Sequence, residues 1–310
     1  MNKRYSTIIF VFINTFFFLS TSLKAQNDST LTMQPIGSEA FEVMRQFFNY
    51  DQDIPLEASI VERIDRHEYV REKIVFSGPG NSRVPGYLAI PKNGASPYPC
   101  VLQLHGIGSS KESWWEDNSF SLGGQLTKEL LKSGFAVLSL DAEYHGERLA
   151  NNDFESPEVF TFQKGWYLRT RDMVVQSVIE YRRAIDYLAS RVEIDTSKLG
   201  IIGYSMGGMM TFNLTAVDPR IKVAVASVTP ILKEQHSAMA AHNFASSITN
   251  QPFLMLMGNA DRRNYTKVEA QQLNDIIISN TKRLVFYESG HQLPSEWTKT
   301  ATEWMEKYLK

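Results

Sequence analysis

Between residues 73 and 287 the chain repeats one pattern: short, mostly apolar, β-branched runs separated by longer stretches with helical spacing. The runs are Lys73–Ser77, Gly86–Ile90, Cys100–Leu104, Ala136–Leu140, Leu199–Gly203, Val223–Val228, Phe253–Met257 and Leu284–Tyr287. A strand apolar at successive positions has both faces buried, which a parallel sheet sandwiched between helices provides. The stretches Asp172–Arg191 and Lys267–Ser279 carry amphipathic spacing, and Glu296–Leu309 closes the chain in the same way. The first two runs lack an intervening helix and predict an antiparallel hairpin. The expected fold is α/β: one doubly wound domain over 39–310, with a mostly parallel eight-stranded sheet and helices on both faces.

Before this pattern starts, Phe41, Met44, Phe47 and Phe48 have helical spacing, which predicts an N-terminal helical extension over about 39–67. Residues 26–38 are polar and read as a flexible lead-in. Upstream, Lys3 and Arg4 precede the apolar stretch Ile8–Leu19, and small polar residues follow up to Ala25. That is the layout of a signal peptide over 1–25. Twelve residues are too few to span a bilayer core, which needs about 20. Cleavage is expected after Ala25, with Ser22 as the alternative, leaving no stable membrane anchor and an exported, periplasmic or secreted protein.

The full chain of 310 residues carries a net charge of −2. Removing residues 1–25 takes away Lys3, Arg4 and Lys24 and no acid, which lowers that charge by three to −5. Mild acidity disfavours a nucleic-acid partner. The single cysteine, Cys100, falls in an apolar strand and reads as a small buried hydrophobe. Oligomeric state is not legible.

In a doubly wound sheet the chemistry gathers at the carboxyl ends of the strands. After Leu199–Ile202 comes Gly203-Tyr204-Ser205-Met206-Gly207-Gly208, a G-x-S-x-G placed between a strand and a helix starting at Met206. Such a turn projects the serine oxygen into the cleft and leaves the Met206 N–H at a helix N-terminus. Serine alone is a poor nucleophile at neutral pH. It needs a base, and the base needs an acid to hold its tautomer. Asp261 follows the run Phe253–Met257, and His291 follows Leu284–Tyr287. Singly, each reads equally well as a turn or capping residue. Together, at successive strand ends in the order Ser, Asp, His, they match the triad order of this fold. Ser205 is the candidate nucleophile, His291 the base and Asp261 its orienting acid.

His105-Gly106-Ile107-Gly108 directly follows Cys100–Leu104, and the Ile107 amide is the expected second oxyanion donor beside Met206. His105 itself is expected to brace that loop. The pair Gly106-x-Gly108 is not a dinucleotide fingerprint, since Lys111 stands where a third glycine belongs. His236 and His242 lack metal-ligand spacing, so neither metal nor cofactor is expected.

With these motifs placed, the chain resembles the esterase branch of the α/β-hydrolases that includes dienelactone-hydrolase-like proteins and acetyl xylan esterases. The resemblance spans roughly Glu68 to Leu309. It is carried by Val84-Pro85-Gly86-Tyr87-Leu88, His105-Gly106-Ile107-Gly108, Asp141 through Arg148, Asp186-Tyr187-Leu188, Gly203–Gly208, Asp261 and His291. Dienelactone hydrolases proper use a cysteine nucleophile. The serine here implies ordinary ester hydrolysis through an acyl-serine, on short-chain or acetyl esters, with carbohydrate esters among them.

Four further residues are candidates for the substrate pocket. Trp114 and Trp115 follow the oxyanion loop and could wall an acyl or sugar site, or simply pack. Glu143 and Arg148 follow Ala136–Leu140, where a bracing network is the favoured reading. The segments Leu149–Gly165 and Lys233–Asn250 sit where lids are inserted, and both are short enough to leave the pocket open. The alternatives to an esterase are a prolyl-oligopeptidase-like peptidase, a thioester or C–C hydrolase on the same triad, and a non-catalytic binding protein.

Overall fold

A computed structural model describes residues 33–232 and 237–310. The expected signal segment 1–25, the lead-in up to residue 32, and His236 lie outside the described residues. Strands β1 (Ser59–Asp65), β2 (Tyr69–Ser77), β3 (Arg83–Pro91), β4 (Tyr98–Leu104) and β5 (Ala136–Leu140) are followed by β6 (Ile194–Tyr204), β7 (Ile221–Ser227), β8 (Phe253–Gly258) and β9 (Lys282–Tyr287). The α-helices are α1 (Ser38–Arg45), α2 (Gly123–Lys132), α3 (Tyr167–Ala189), α4 (Met206–Val217), α5 (Ala241–Ala245), α6 (Lys267–Ile276) and α7 (Glu296–Leu309).

The strands form one sheet in the order β1-β2-β3-β5-β4-β6-β7-β8-β9. From β5 to β9 all neighbours run parallel, while β1, β2 and β3 pair antiparallel and β3 joins β5 antiparallel. The β2–β3 hairpin sets Lys73 opposite Tyr87 and Val75 opposite Pro85. Apolar side chains fill both faces. Phe76, Leu102, Ile201, Met210 and Phe253 belong to the core under α3 to α6, and Val101, Ile202, Val225, Leu254 and Trp297 to the core under α2 and α7. In α7, Trp297, Ala301, Met305 and Leu309 recur at helical spacing and are all buried. Removing a side chain such as Met305 would cost about 2–5 kcal/mol.

The sheet has nine strands among the described residues, not the eight expected. The additional one, β1, lies inside the region read as a helical extension. That extension is helical only over α1 and a 3-10 turn at Gln46–Phe48. β1 is an edge strand, exposed at nearly every position and irregular between Ile60 and Glu62. Burial is what imprints an apolar pattern on a strand, and an exposed edge carries none. The end of the expected lead-in is also held down: Ile36 is buried and its N–H donates to Asn243 Oδ1 at 3.1 Å. Among the described residues no helix is long and apolar enough to cross a membrane.

Candidate active site

β6 ends at Tyr204 and α4 begins at Met206, so a single residue, Ser205, turns the chain. It does so at φ 57° and ψ −117°, a region that strains any residue with a Cβ. The turn closes only because its flanks are bare: a Cβ on Gly203 would collide with the Gly207 carbonyl, and one on Gly207 with the Leu104 carbonyl. The strain is held by neighbours on both sides. Ser205 N–H donates to Ser227 O at 2.9 Å, and α4 is buried on almost every side.

The segments after β8 and β9 meet each other. Asn259 N–H donates to Tyr287 O and Ala260 N–H to Ser289 O, both at 2.9 Å. A Cβ at Gly258 would strike the Gly290 carbonyl, so the approach is as close as backbone allows. This brings Asp261 and His291 together across thirty residues of sequence. Tyr204, the residue before the serine, fastens the histidine segment: its hydroxyl donates to His291 O at 2.8 Å and accepts from Leu293 N–H at 3.0 Å.

Ser205, His291 and Asp261 thus form one hydrogen-bonded chain. His291 Nδ1 lies 2.5 Å from Asp261 Oδ2, and His291 Nε2 lies 2.8 Å from Ser205 Oγ. A neutral imidazole has one N–H, and the carboxylate claims it at Nδ1. Nε2 is then the acceptor facing the serine hydroxyl. Asn264 Nδ2 donates to Asp261 Oδ1 at 2.8 Å. It also comes within 3.1 Å of His291 Nδ1, but that nitrogen already carries the proton given to Asp261, so no second bond forms there. Burial pushes the Asp261 carboxyl up, yet the hydrogen bonds from His291 and Asn264 outweigh it and hold the group below the usual carboxylate range. Asp261 is therefore anionic at neutral pH.

Met206 opens α4, so its N–H has no partner within the helix. Ile107 and Met206 both line the cavity that holds Ser205. His105 controls the first of them. Its Nε2 accepts from Ala142 N–H at 3.1 Å, which puts its proton on Nδ1, and Nδ1 donates to Gly106 O at 2.8 Å. The Gly106 carbonyl and the Ile107 N–H are opposite edges of one planar peptide. Fixing the carbonyl toward His105 turns the N–H away from it.

The cavity has a volume of about 950 Å³. Of its lining residues, Phe120, Phe162 and Arg263 are exposed, and Met173, Met209 and Met239 are buried. Both short segments flagged as lid positions contribute, through Glu158 and Phe162 from one and Met239 from the other. The four pocket candidates lie elsewhere. Trp114 is fully buried in the core under α2 and α7, where a 3-10 turn at Lys111–Trp114 directs it. Trp115 packs against Tyr69 and Tyr87, with Arg71 over its ring at 4.8 Å. Arg148 is buried against Glu180, at 2.5 and 2.8 Å, and against Glu143. Glu143 and Arg148 are braces, because a buried guanidinium must be paired. The sequence alone assigns no role to Tyr204 or Asn264, although Tyr204 occupies the first variable position of the G-x-S-x-G itself.

Comparison with known proteins places this geometry. YtaP of Bacillus subtilis (strain 168) is 27% identical over 303 residues, covering 86% of this chain and 99% of that one. Among solved structures, acetyl xylan esterase 1 from Thermoanaerobacterium sp. JW/SL YS485 superposes with a TM-score of 0.67 at 15% identity, covering 89% of this chain and 96% of the other. A cold-adapted esterase from an Arctic intertidal metagenomic library gives 0.64 at 21% identity, covering 81% and 100%. These two establish the α/β-hydrolase fold. The model of the acetyl xylan esterase family matches residues 49–247, more than half of the sequence. The chain belongs to the acetyl xylan esterase family and is an ester-hydrolysing enzyme.

Proposed function

We propose that the protein is an exported serine esterase that cleaves carboxylic esters through an acyl-Ser205 intermediate. The observation that carries this reading is the continuous hydrogen-bonded chain from Ser205 Oγ through His291 to Asp261, opening into the cavity. Acetyl and other short-chain esters, those of carbohydrates included, are the substrates that family membership favours. Export rests on the N-terminal sequence layout alone. The partner is then a small-molecule or carbohydrate ester.

As Ser205 Oγ bonds to the ester carbonyl carbon, its proton passes to His291 Nε2. The carbonyl oxygen gains negative charge, and the Ile107 and Met206 N–H groups receive it. Asp261 stabilises the imidazolium and keeps the ring in its tautomer. When the C–O bond to the alcohol breaks, the proton goes from His291 Nε2 to the departing oxygen. A water repeats the sequence on the acyl-enzyme and releases the acid. Each step uses protein groups and water.

The direct test is Ser205→Ala. Turnover of a 4-nitrophenyl ester is expected to fall by about 10⁶-fold with an unchanged circular dichroism spectrum. Wild-type activity in that variant would refute the reading.

A further inference from the structure

The cavity is far larger than an acetyl group requires, and its two sides differ in character. A leaving alcohol must lie against His291 Nε2 to receive its proton. The rings on that side are Phe120 and Tyr204, with centroids 6.1 and 6.2 Å from the His291 ring. The rest of the cavity around Ser205 is lined from α3 and α4, which is the space left for the acyl group. There the lining includes Met206 and Met209 from α4, Met173 and Val174 from α3, and Met239, each 5% exposed or less, with the Glu158 carboxylate near Gly108.

The hydroxyls on this side are already committed. Thr161 and Thr170 share a hydrogen bond at 3.0 Å, Thr170 also donates to Trp166 O, and Tyr167 OH donates to Ser237 Oγ at 2.8 Å. A sugar ring buried there would lose its own hydrogen bonds to water and regain few. An aliphatic chain loses none. Methionine is unbranched and polarisable, so a pocket walled by it adapts to chains of different length. The volume of about 950 Å³ spans both sides of Ser205 and leaves room for much more than an acetyl group.

We infer that the α3–α4 side of the cavity is an acyl pocket for medium-length aliphatic chains, so that the enzyme favours acyl groups longer than acetyl. The inference rests on the serine-esterase reading above and adds to it a substrate class. Each buried methylene is worth roughly a factor of four.

The experiment measures kcat/KM for 4-nitrophenyl acetate, butyrate, hexanoate and octanoate, which hold the leaving group constant. It uses the wild-type chain and the variants Met209→Trp and Met239→Phe. The expected result is at least a tenfold rise from acetate to hexanoate in the wild type. In the variants the hexanoate-to-acetate ratio falls by tenfold or more, because the added ring occupies the space of the chain. Met239→Phe is the smaller change and carries the test if Met209→Trp does not fold. A wild type fastest on acetate overturns the acyl pocket and leaves the serine esterase standing. So does a ratio unchanged in a folded variant. If no ester is turned over and Ser205 resists a fluorophosphonate, the esterase reading itself fails, and the pocket with it.

Discussion

Two clusters of histidine and carboxylate lie at the same edge of the sheet, and only one faces the cavity. In the first, His291 sits between Asp261 and Ser205. In the second, the rings of His105 and His145 lie 4.9 Å apart beside Asp141. Asp141 is engaged elsewhere: it accepts from Lys111 N–H and Nζ and from Glu147 N–H, at 2.8 to 3.0 Å. Burial works against the Lys111 charge, but Asp141 and Glu147 outweigh it and push the ammonium up to about 12. His145 uses its Nδ1–H on Glu143 O, and its Nε2 is buried with no partner among the described residues. Burial, and then the neighbouring His105, hold His145 well below the ordinary histidine range. A histidine near an acid at a strand end is therefore not enough. What distinguishes His291 is an accepting nitrogen aimed at a hydroxyl inside a cavity.

The comparison can be broken by exchanging roles. Asp261→Asn leaves the shape of the first cluster but offers His291 Nδ1 an amide in place of an anion. Ester kcat is expected to fall by about 10⁴-fold. His145→Gln, in the second cluster, is expected to lower kcat less than tenfold while reducing the thermal midpoint. Comparable losses of kcat in the two variants would erase the distinction.

A second break targets stability. Glu180 and Arg148 are both buried, and Arg148→Met leaves the Glu180 carboxylate without its main partner. Removing one member of a buried pair is expected to cost about 3–5 kcal/mol in urea unfolding. A shift under 1 kcal/mol would show that Arg148 is not a structural brace.

The smallest effect sharpens the comparison through pH. Burial pushes His105 down to about 4; the Gly106 hydrogen bond opposes it and the Lys111 charge adds to it. Between that value and the ordinary value of 6.5, the unfolded chain binds a proton that the folded protein refuses. Stability is full above 6.5 and is lost as pH falls toward 4, by up to about 3 kcal/mol. Urea midpoints at pH 7.5 and 4.5 should differ accordingly, and His105→Asn should shrink the difference. Equal midpoints would mean that the buried pair is not held neutral.

The parts of this fold legible in the sequence were those where packing leaves no choice. The interior strands declared themselves because burial on both faces demands apolar residues throughout. The turn at Ser205 did so because Gly203 and Gly207 admit no side chain. β1 did not, since nearly every residue of it meets water. The two tryptophans stay ambiguous in sequence for another reason: a position after the oxyanion loop does not say which way a 3-10 turn will send a ring. The cavity walls were the least legible. Met173, Met206, Met209 and Met239 come from two helices and a loop far apart in sequence, and only the packing of α3 against α4 assembles them.

The central claim is that Ser205 is the nucleophile. Its most direct measurement is the mass of the protein after reaction with a fluorophosphonate, followed by peptide mapping. One adduct, on Ser205, formed by the wild type and lost in Ser205→Ala, is the expected result. An unmodified protein, or an adduct on another residue that persists in Ser205→Ala, would contradict it.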